Sequence, residues 1–171
     1  MEKSVYISIG TNKGDKISNC KFVIKKINSI FKILRVSSIY KTQSWGFDSE
    51  FFLNFIIEIN TSLNPLELLE KLIEIEKLMG RVRENKFSKN KYESRFIDLD
   101  ILFFGNKIIN KKSLTIPHPK LYDRNFILVP LLEINPFLTC PLTNKNISEI
   151  ILNCRDKCVV EKTSYVFDFN N

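Results

Sequence analysis

The run R-F-I-D-L-D-I-L-F-F-G at residues 95–105 constrains this chain more than any other stretch. Ile97, Leu99, Ile101 and Phe103 alternate with Asp98, Asp100, Leu102 and Phe104, the two-residue period of a β-strand. So apolar a strand has to be buried, and the alternation sets both carboxylates on one face at its entrance. Two adjacent like charges raise each other's pKa. A hard divalent cation such as Mg²⁺ removes that cost, because it takes carboxylate oxygen and leaves room for substrate phosphates. The plainer reading is a solvated strand end that carries two acids.

The residues just before the run bear on that choice. Between Arg81 and Arg95, six cations (Arg81, Arg83, Lys86, Lys89, Lys91, Arg95) stand against two acids (Glu84, Glu93), a net of +4 in a chain whose total is +7. Taken alone, a charge run is a solvated loop. Leading into a carboxylate pair, it suits a polyphosphate, because arginine offers forked donors to phosphate oxygens while a metal neutralises the remaining charge. The segment G-T-N-K-G-D-K lacks the Gly-Lys-Ser/Thr spacing of a phosphate-cradling glycine loop, so side chains and metal have to do that work.

At 171 residues, with 44% hydrophobic and 26% charged side chains, the chain is expected to form one domain over residues 1–171 with a core of its own. Cys20, Cys140, Cys154 and Cys158 form no Cys-x-x-Cys pair, and the single histidine leaves little to complete a zinc set. The cysteines read as reduced thiols. The N-terminus has no long apolar region, and no stretch approaches the ~18 apolar residues of a membrane span. The expectation is a cytoplasmic, monomeric protein that binds neither membrane nor nucleic acid.

Strand-like and helix-like segments alternate along the chain. Val5 to Ile9 reads as a strand, and Asp15 caps a helix whose apolar stripe is Cys20, Val23, Ile24, Ile27, Phe31 and Leu34. Leu34 to Tyr40 and Phe51 to Thr61 read as two strands joined through Trp45-Gly46. Asn64-Pro65-Leu66-Glu67 supplies a cap, a proline at the first helical position and an acid at the third, opening a helix that closes at Gly80. The aspartate strand follows the basic loop. Strand, helix, two strands, helix, strand is the order of a ferredoxin-like α+β unit: an antiparallel sheet packed with helices, three layers α/β/α, with a C-terminal extension. Phe126 to Ile134 reads as the end of a helix or a buried turn.

Three further positions attract attention. Glu76 falls inside the stripe Leu68, Leu72, Ile75 and Met79, where a carboxylate has to be paired, hydrogen-bonded or functional. A structural ion pair and a role at the site are both open. Phe52 and Asn54 share a strand face, with Thr42 and Trp45 just upstream, giving an aromatic surface and an amide able to read a flat heterocycle. His118, set between Pro117 and Pro119 and followed by Arg124 and Phe126, reads as a phosphate contact.

The combination of I-G-T-N, Y-K-T-Q-S-W-G-F followed by F-L-N, I-E-K-L-M-G-R-V-R, R-F-I-D-L-D-I-L-F-F-G and L-T-I-P-H-P-K-L-Y-D-R-N-F-I-L-V-P-L-L-E-I resembles the 6-hydroxymethyl-7,8-dihydropterin pyrophosphokinases of folate biosynthesis, over residues 4 to 137. The resemblance implies a ferredoxin-like core and transfer of pyrophosphate from ATP to the pterin hydroxymethyl group, with release of AMP. It implies two Mg²⁺ ions on Asp98 and Asp100, and catalytic arginines at Arg81, Arg83 and Arg95 on a mobile loop. It places Glu76, Leu114, Thr115, His118 and Arg124, with Arg83 and Arg95, at ATP. It places Thr42, Trp45, Phe52, Asn54 and Phe126 around the pterin, with Phe52 and Phe126 as the stacking pair.

Three departures accompany it. Y-E-S-R stands where many members have W-G-P-R, Gln43-Ser44 replaces a Pro-Pro, and Ser113 replaces a frequent basic residue. Without Gly-Pro stiffening, the segment from Glu84 to Ser94 is expected to stay open until both ligands bind. Two other functions fit the composition: a basic ferredoxin-like domain that binds single-stranded RNA on its sheet, and a nucleotide kinase that yields ADP.

Overall fold

The computed structural model describes residues 2–43, 50–80 and 95–167. Its central strand β1 (Lys3–Thr11) is flanked antiparallel by β4 (Phe52–Thr61) and β5 (Asp98–Phe104). Strands β2 (Lys32–Val36) and β3 (Tyr40–Thr42) both pair with β4, and β8 (Val160–Lys162) pairs with β3, giving the order β5-β1-β4-β3-β8 with β2 alongside β4. Helix α1 (Lys16–Asn28) follows β1, and α2 (Pro65–Leu78) follows β4. This is the ferredoxin-like order with its second strand split in two. Beyond it come a hairpin of β6 (Ile109–Lys111) and β7 (Leu114–Ile116), then α3 (Asn125–Ile134) and α4 (Ile147–Leu152).

Side-chain alternation on β1 sorts the core into two layers. Val5, Ile7 and Ile9 point to one face, where Cys20, Val23, Ile24 and Ile27 of α1 and Leu68, Leu72 and Ile75 of α2 cover them. Tyr6 points to the other and meets Ile56, Leu102, Ile127, Leu128 and Leu131, with α4 behind. Each fully buried Leu, Ile or Phe contributes about 1.5–3 kcal/mol relative to exposure. Helices thus pack on both faces of the sheet, the expected three layers.

Both early helices start where the sequence says. Asp15 accepts the Ser18 amide at 3.0 Å, and Asn64 and Glu67 form a reciprocal capping box. Gly80 takes a left-handed φ of 81° just past α2, a conformation that costs glycine nothing.

Three expectations need correction. The α1 stripe does not extend to Phe31 and Leu34: the helix ends at Asn28, Phe31 folds back into the core, and Leu34 is exposed on β2. The expected strand from Leu34 to Tyr40 breaks at Ser37, whose hydroxyl replaces a main-chain acceptor by taking the Ile56 amide proton at 2.9 Å. On β5 the register slips against Tyr6 and Ile7, leaving Leu102 as the extra residue. Beyond that bulge Phe103 turns to the α3 layer and Phe104 to the α1 and α2 layer, opposite to strict alternation. Phe126 to Ile134, left open between helix and turn, lies within α3. No helix among the described residues is long and apolar enough to cross a membrane.

Candidate active site

The two aspartates precede the bulge and so keep their common face. Asp98 lies opposite Gly10 of β1, Gly10 lies opposite Asn54 of β4, and Asn54 lies opposite Tyr40 of β3. One step along, Asp100 faces Ser8, and Ser8 faces Ile56. Residues paired across strands share a face, and neighbouring strands are about 4.8 Å apart. Asp98 and the expected pterin amide are therefore two strands apart, about 10 Å between backbones, on the α3 side of the sheet. Gly10 between them has no side chain, and a Cβ built there would lie 3.1 Å from Asn54 Oδ1. That glycine lowers the floor between an acidic end and a polar end, a feature the sequence reading quoted only as part of I-G-T-N.

At the polar end, Asn54 Nδ2 donates to Thr42 Oγ1 at 2.8 Å, and both side chains are buried. The bond fixes the amide plane before any ligand arrives. Phe52 pairs with Thr42 one row further along the same face. Phe126 stands in the first turn of α3, partly buried, with the Arg124 guanidinium 5.3 Å from its ring centre. The structure thus brings Thr42, Phe52 and Asn54 together on one surface. Trp45, Arg81 and Arg83 lie outside the described residues, as does the segment from Glu84 to Ser94.

At the acidic end, Arg95 Nη1 pairs with Asp98 Oδ2 at 2.5 Å, both groups partly exposed. The arginine expected to reach phosphate is thus held beside the aspartates. Its backbone is clamped by buried Asn12, which accepts the Arg95 amide proton on Oδ1 at 2.7 Å and donates its own amide to the Arg95 carbonyl at 3.1 Å. Asn12 went unassigned in the sequence because its partner is 83 residues away. Glu76, 1% exposed, accepts the Leu99 amide proton at 2.9 Å. It therefore ties α2 to the residue between the two aspartates.

His118 lies along the edge of β5, its amide bonded to the Leu102 carbonyl at 3.0 Å. Burial first, and then the Arg124 cation, push its pKa down to about 4 against the pull of Asp98. The imidazole is neutral at physiological pH. Its Nδ1 accepts the Lys120 amide at 3.2 Å, so Nε2 carries the proton and acts as a donor. Leu114 sends its side chain into the α1 and α2 core, while Thr115 is half-buried on the hairpin.

The fold and this row define a class: a ferredoxin-like α+β domain with a carboxylate pair at one end of a strand row and a hydrogen-bonded amide at the other. The chain belongs to the 7,8-dihydro-6-hydroxymethylpterin-pyrophosphokinase family, whose model matches residues 6–136. The 2-amino-4-hydroxy-6-hydroxymethyldihydropteridine pyrophosphokinase of Aquifex aeolicus is 40% identical over 147 residues, covering 85% of this chain and 89% of the relative. The enzyme of the same name from Bacillus subtilis is 39% identical over 137 residues, covering 78% and 79%. Among solved structures, wild-type HPPK-DHPS of Plasmodium falciparum shares the fold with a TM-score of 0.69 at 16% identity. The match covers 88% of this chain but only 44% of that longer one.

Proposed function

We propose that this chain transfers the pyrophosphoryl group of ATP to the hydroxymethyl group of 6-hydroxymethyl-7,8-dihydropterin, releasing AMP, in folate synthesis. Beyond family membership, the observation that carries this reading is the row Asp98, Gly10, Asn54. It sets a carboxylate and an amide on one face, about 10 Å apart by strand spacing, which supports assigning phosphate to one end and the ring to the other. Asn54, with its amide fixed by Thr42, reads the pterin edge, and Phe52 and Phe126 stack on its faces. Arg95 pivots on its Asn12-clamped backbone from Asp98 towards phosphate oxygens, while Arg124 and the Nε2 proton of His118 add donors. Leu114 and Thr115 border the nucleotide, Glu76 keeps the aspartate strand in place, and Arg81, Arg83 and Trp45 complete the site.

The donor set fits Mg²⁺. Asp98 and Asp100 offer only carboxylate oxygen, both are partly exposed at the strand entrance, and Arg95 compensates one of them. Bound there, the metal would neutralise phosphate charge. The protein's own share is positioning and charge stabilisation, which phosphoryl-type transfer mainly needs. The reading takes residues 1–171 as one monomeric, cytoplasmic domain.

Product analysis tests it. With ATP, Mg²⁺ and the hydroxymethyl dihydropterin, AMP and the pterin pyrophosphate should appear one to one. ADP would instead mark a phosphoryl kinase, and an unchanged nucleotide pool would overturn the reading.

A further inference from the structure

We infer that the C-terminal segment Asp156–Val160 is a brace that joins the two walls of the pterin cleft, with Asp156 as a positioning residue; this rests on the functional reading above. The clue is a helix that begins without a cap of its own. Helices α1, α2 and α4 are capped by the residue in front of them, Asp15, Asn64 and Asn146. At the start of α3, Arg124 makes no side-chain capping bond, and the first turn holds no acid. Asp156, thirty-one residues downstream, supplies what is missing. Its Oδ2 accepts the Asn125 amide proton at 2.8 Å, and its carbonyl accepts from Asn125 Nδ2 at 2.7 Å. Its Oδ1 accepts the Cys158 amide at 2.9 Å, which fixes the carboxylate from its own side. A carboxylate placed there also complements the positive end of the helix dipole.

Asn125 sits between Arg124 and Phe126, the cation and ring that lie against one another at the cleft. The same short segment then reaches the opposite wall: Val160 pairs with Thr42, and Thr42 pairs with Phe52. One five-residue stretch therefore grips both the helix that carries one stacking ring and the strand beside the other. The family match ends at residue 136, so the device lies outside the part of the chain that the family model describes.

A helix cap that only stabilises would change the melting temperature and leave binding alone. A brace changes pterin recognition in protein that is still folded. The test compares full-length wild type, Asp156→Asn, Asp156→Ala and the exposed control Arg155→Ala, at a temperature where circular dichroism shows all of them folded. The readouts are AMP formation and amide exchange across residues 124–128. Asp156→Ala should raise the pterin KM roughly tenfold, the scale of a lost cap. ATP KM and kcat should move less than about threefold, and exchange at Asn125 and Phe126 should accelerate. Asp156→Asn keeps one oxygen acceptor and should fall between, at about threefold in pterin KM, with Arg155→Ala at the wild-type value. Should Asp156→Ala not fold, the comparison of Asp156→Asn with Arg155→Ala decides alone. An Asp156 variant with wild-type pterin KM, whatever its exchange, overturns the brace and leaves the activity standing. A wild type that forms no AMP overturns both.

Discussion

On the α1 and α2 side of the sheet, each helix is capped by the residue in front of it, and the layer is filled mainly by hydrocarbon, with Thr11, Thr61 and Glu76 as buried polar residues. On the α3 side the helix begins on a carboxylate from residue 156. In its last turn Glu133 collects bonds from Ser38, Tyr40 and Lys162. The Asn135 amide reaches the Tyr6 hydroxyl at 2.8 Å, and Arg35 reaches the Ile134 carbonyl at 2.6 Å. The first side is made from local signals and non-directional burial. The second adds to such signals, seen in the Asn146 cap of α4, directional bonds between distant segments, and the Asp98–Gly10–Asn54 row lies on that side. Hydrocarbon packing tolerates no ligand-sized gap, whereas a layer held by polar ties can leave a cleft and still fix its walls.

If the comparison holds, chemistry and stability should separate by side. The largest effect belongs to the acidic end: Asp98→Asn or Asp100→Asn should lower kcat about 10³-fold, the scale of losing a principal charge-stabilising group. The fold should stay intact, because shape is preserved and a partly exposed ion pair such as Arg95–Asp98 adds little stability. Steady-state AMP formation alongside thermal melts checks this, and near-normal kcat in either variant would remove that carboxylate from the chemistry. Next in size, Leu72→Ala on the α2 side should cost about 3 kcal/mol in urea unfolding, for a fully buried leucine. Its kcat, measured well below its melting point, should equal the wild type. A folded Leu72→Ala protein without activity would show that the two sides cannot be separated.

The cleft floor gives a smaller and sharper test. Asn54→Ala should weaken pterin binding roughly tenfold or more and leave ATP binding unchanged, since a site built to hydrogen-bond a ring punishes loss of that partner. Gly10→Ala should act the same way more weakly, through the new Cβ 3.1 Å from Asn54 Oδ1. Titrating each ligand separately distinguishes them, and equal losses for ATP and pterin would place Asn54 outside the pocket.

The same contrast explains what was legible in the sequence. Asp15, the Asn64-Pro65-Leu66-Glu67 start and the Asp98 alternation are readable because their partners lie within four residues. Motif resemblance singled out Thr42, Phe52 and Asn54, which the folded chain brings to one surface. The break at Ser37, the bulge at Leu102, the Asn12 clamp on Arg95 and the Asp156 cap were not readable, because each depends on a partner that only the folded chain brings near. Phe31 and Leu34 misled for a related reason: they continue the helical period past the end of α1, and the strand pairing of β2 overrides it.

The smallest effect concerns Glu133, the hub of the α3 side. Burial raises its pKa, but hydrogen bonds from Ser38, Lys162 and Tyr40 outweigh burial and hold it below its ordinary value of 4.5. A carboxylate lowered on folding adds stability above its unfolded pKa, and that stability is lost as pH falls through the lower folded value. The Glu133 contribution should therefore be complete at neutral pH, begin to fall near 4.5 and be lost only below the lower folded value. Glu133→Gln keeps the size, removes the charge and leaves one acceptor oxygen where the carboxylate has two. Urea unfolding should show the wild type more stable by about 1 kcal/mol at pH 7, the scale of hydrogen bonds to a charged group beyond their neutral counterparts. The gap should close on the acid side, so that the variant's stability curve is flatter there. Lys162 and Tyr40 bind the same carboxylate, so Lys162→Met in the Glu133→Gln background should add less than it does alone. Parallel acid limbs for wild type and variant would show that the α3 side is held by shape alone, and the contrast between the two faces would then rest on the Asp156 cap and the neutral bonds.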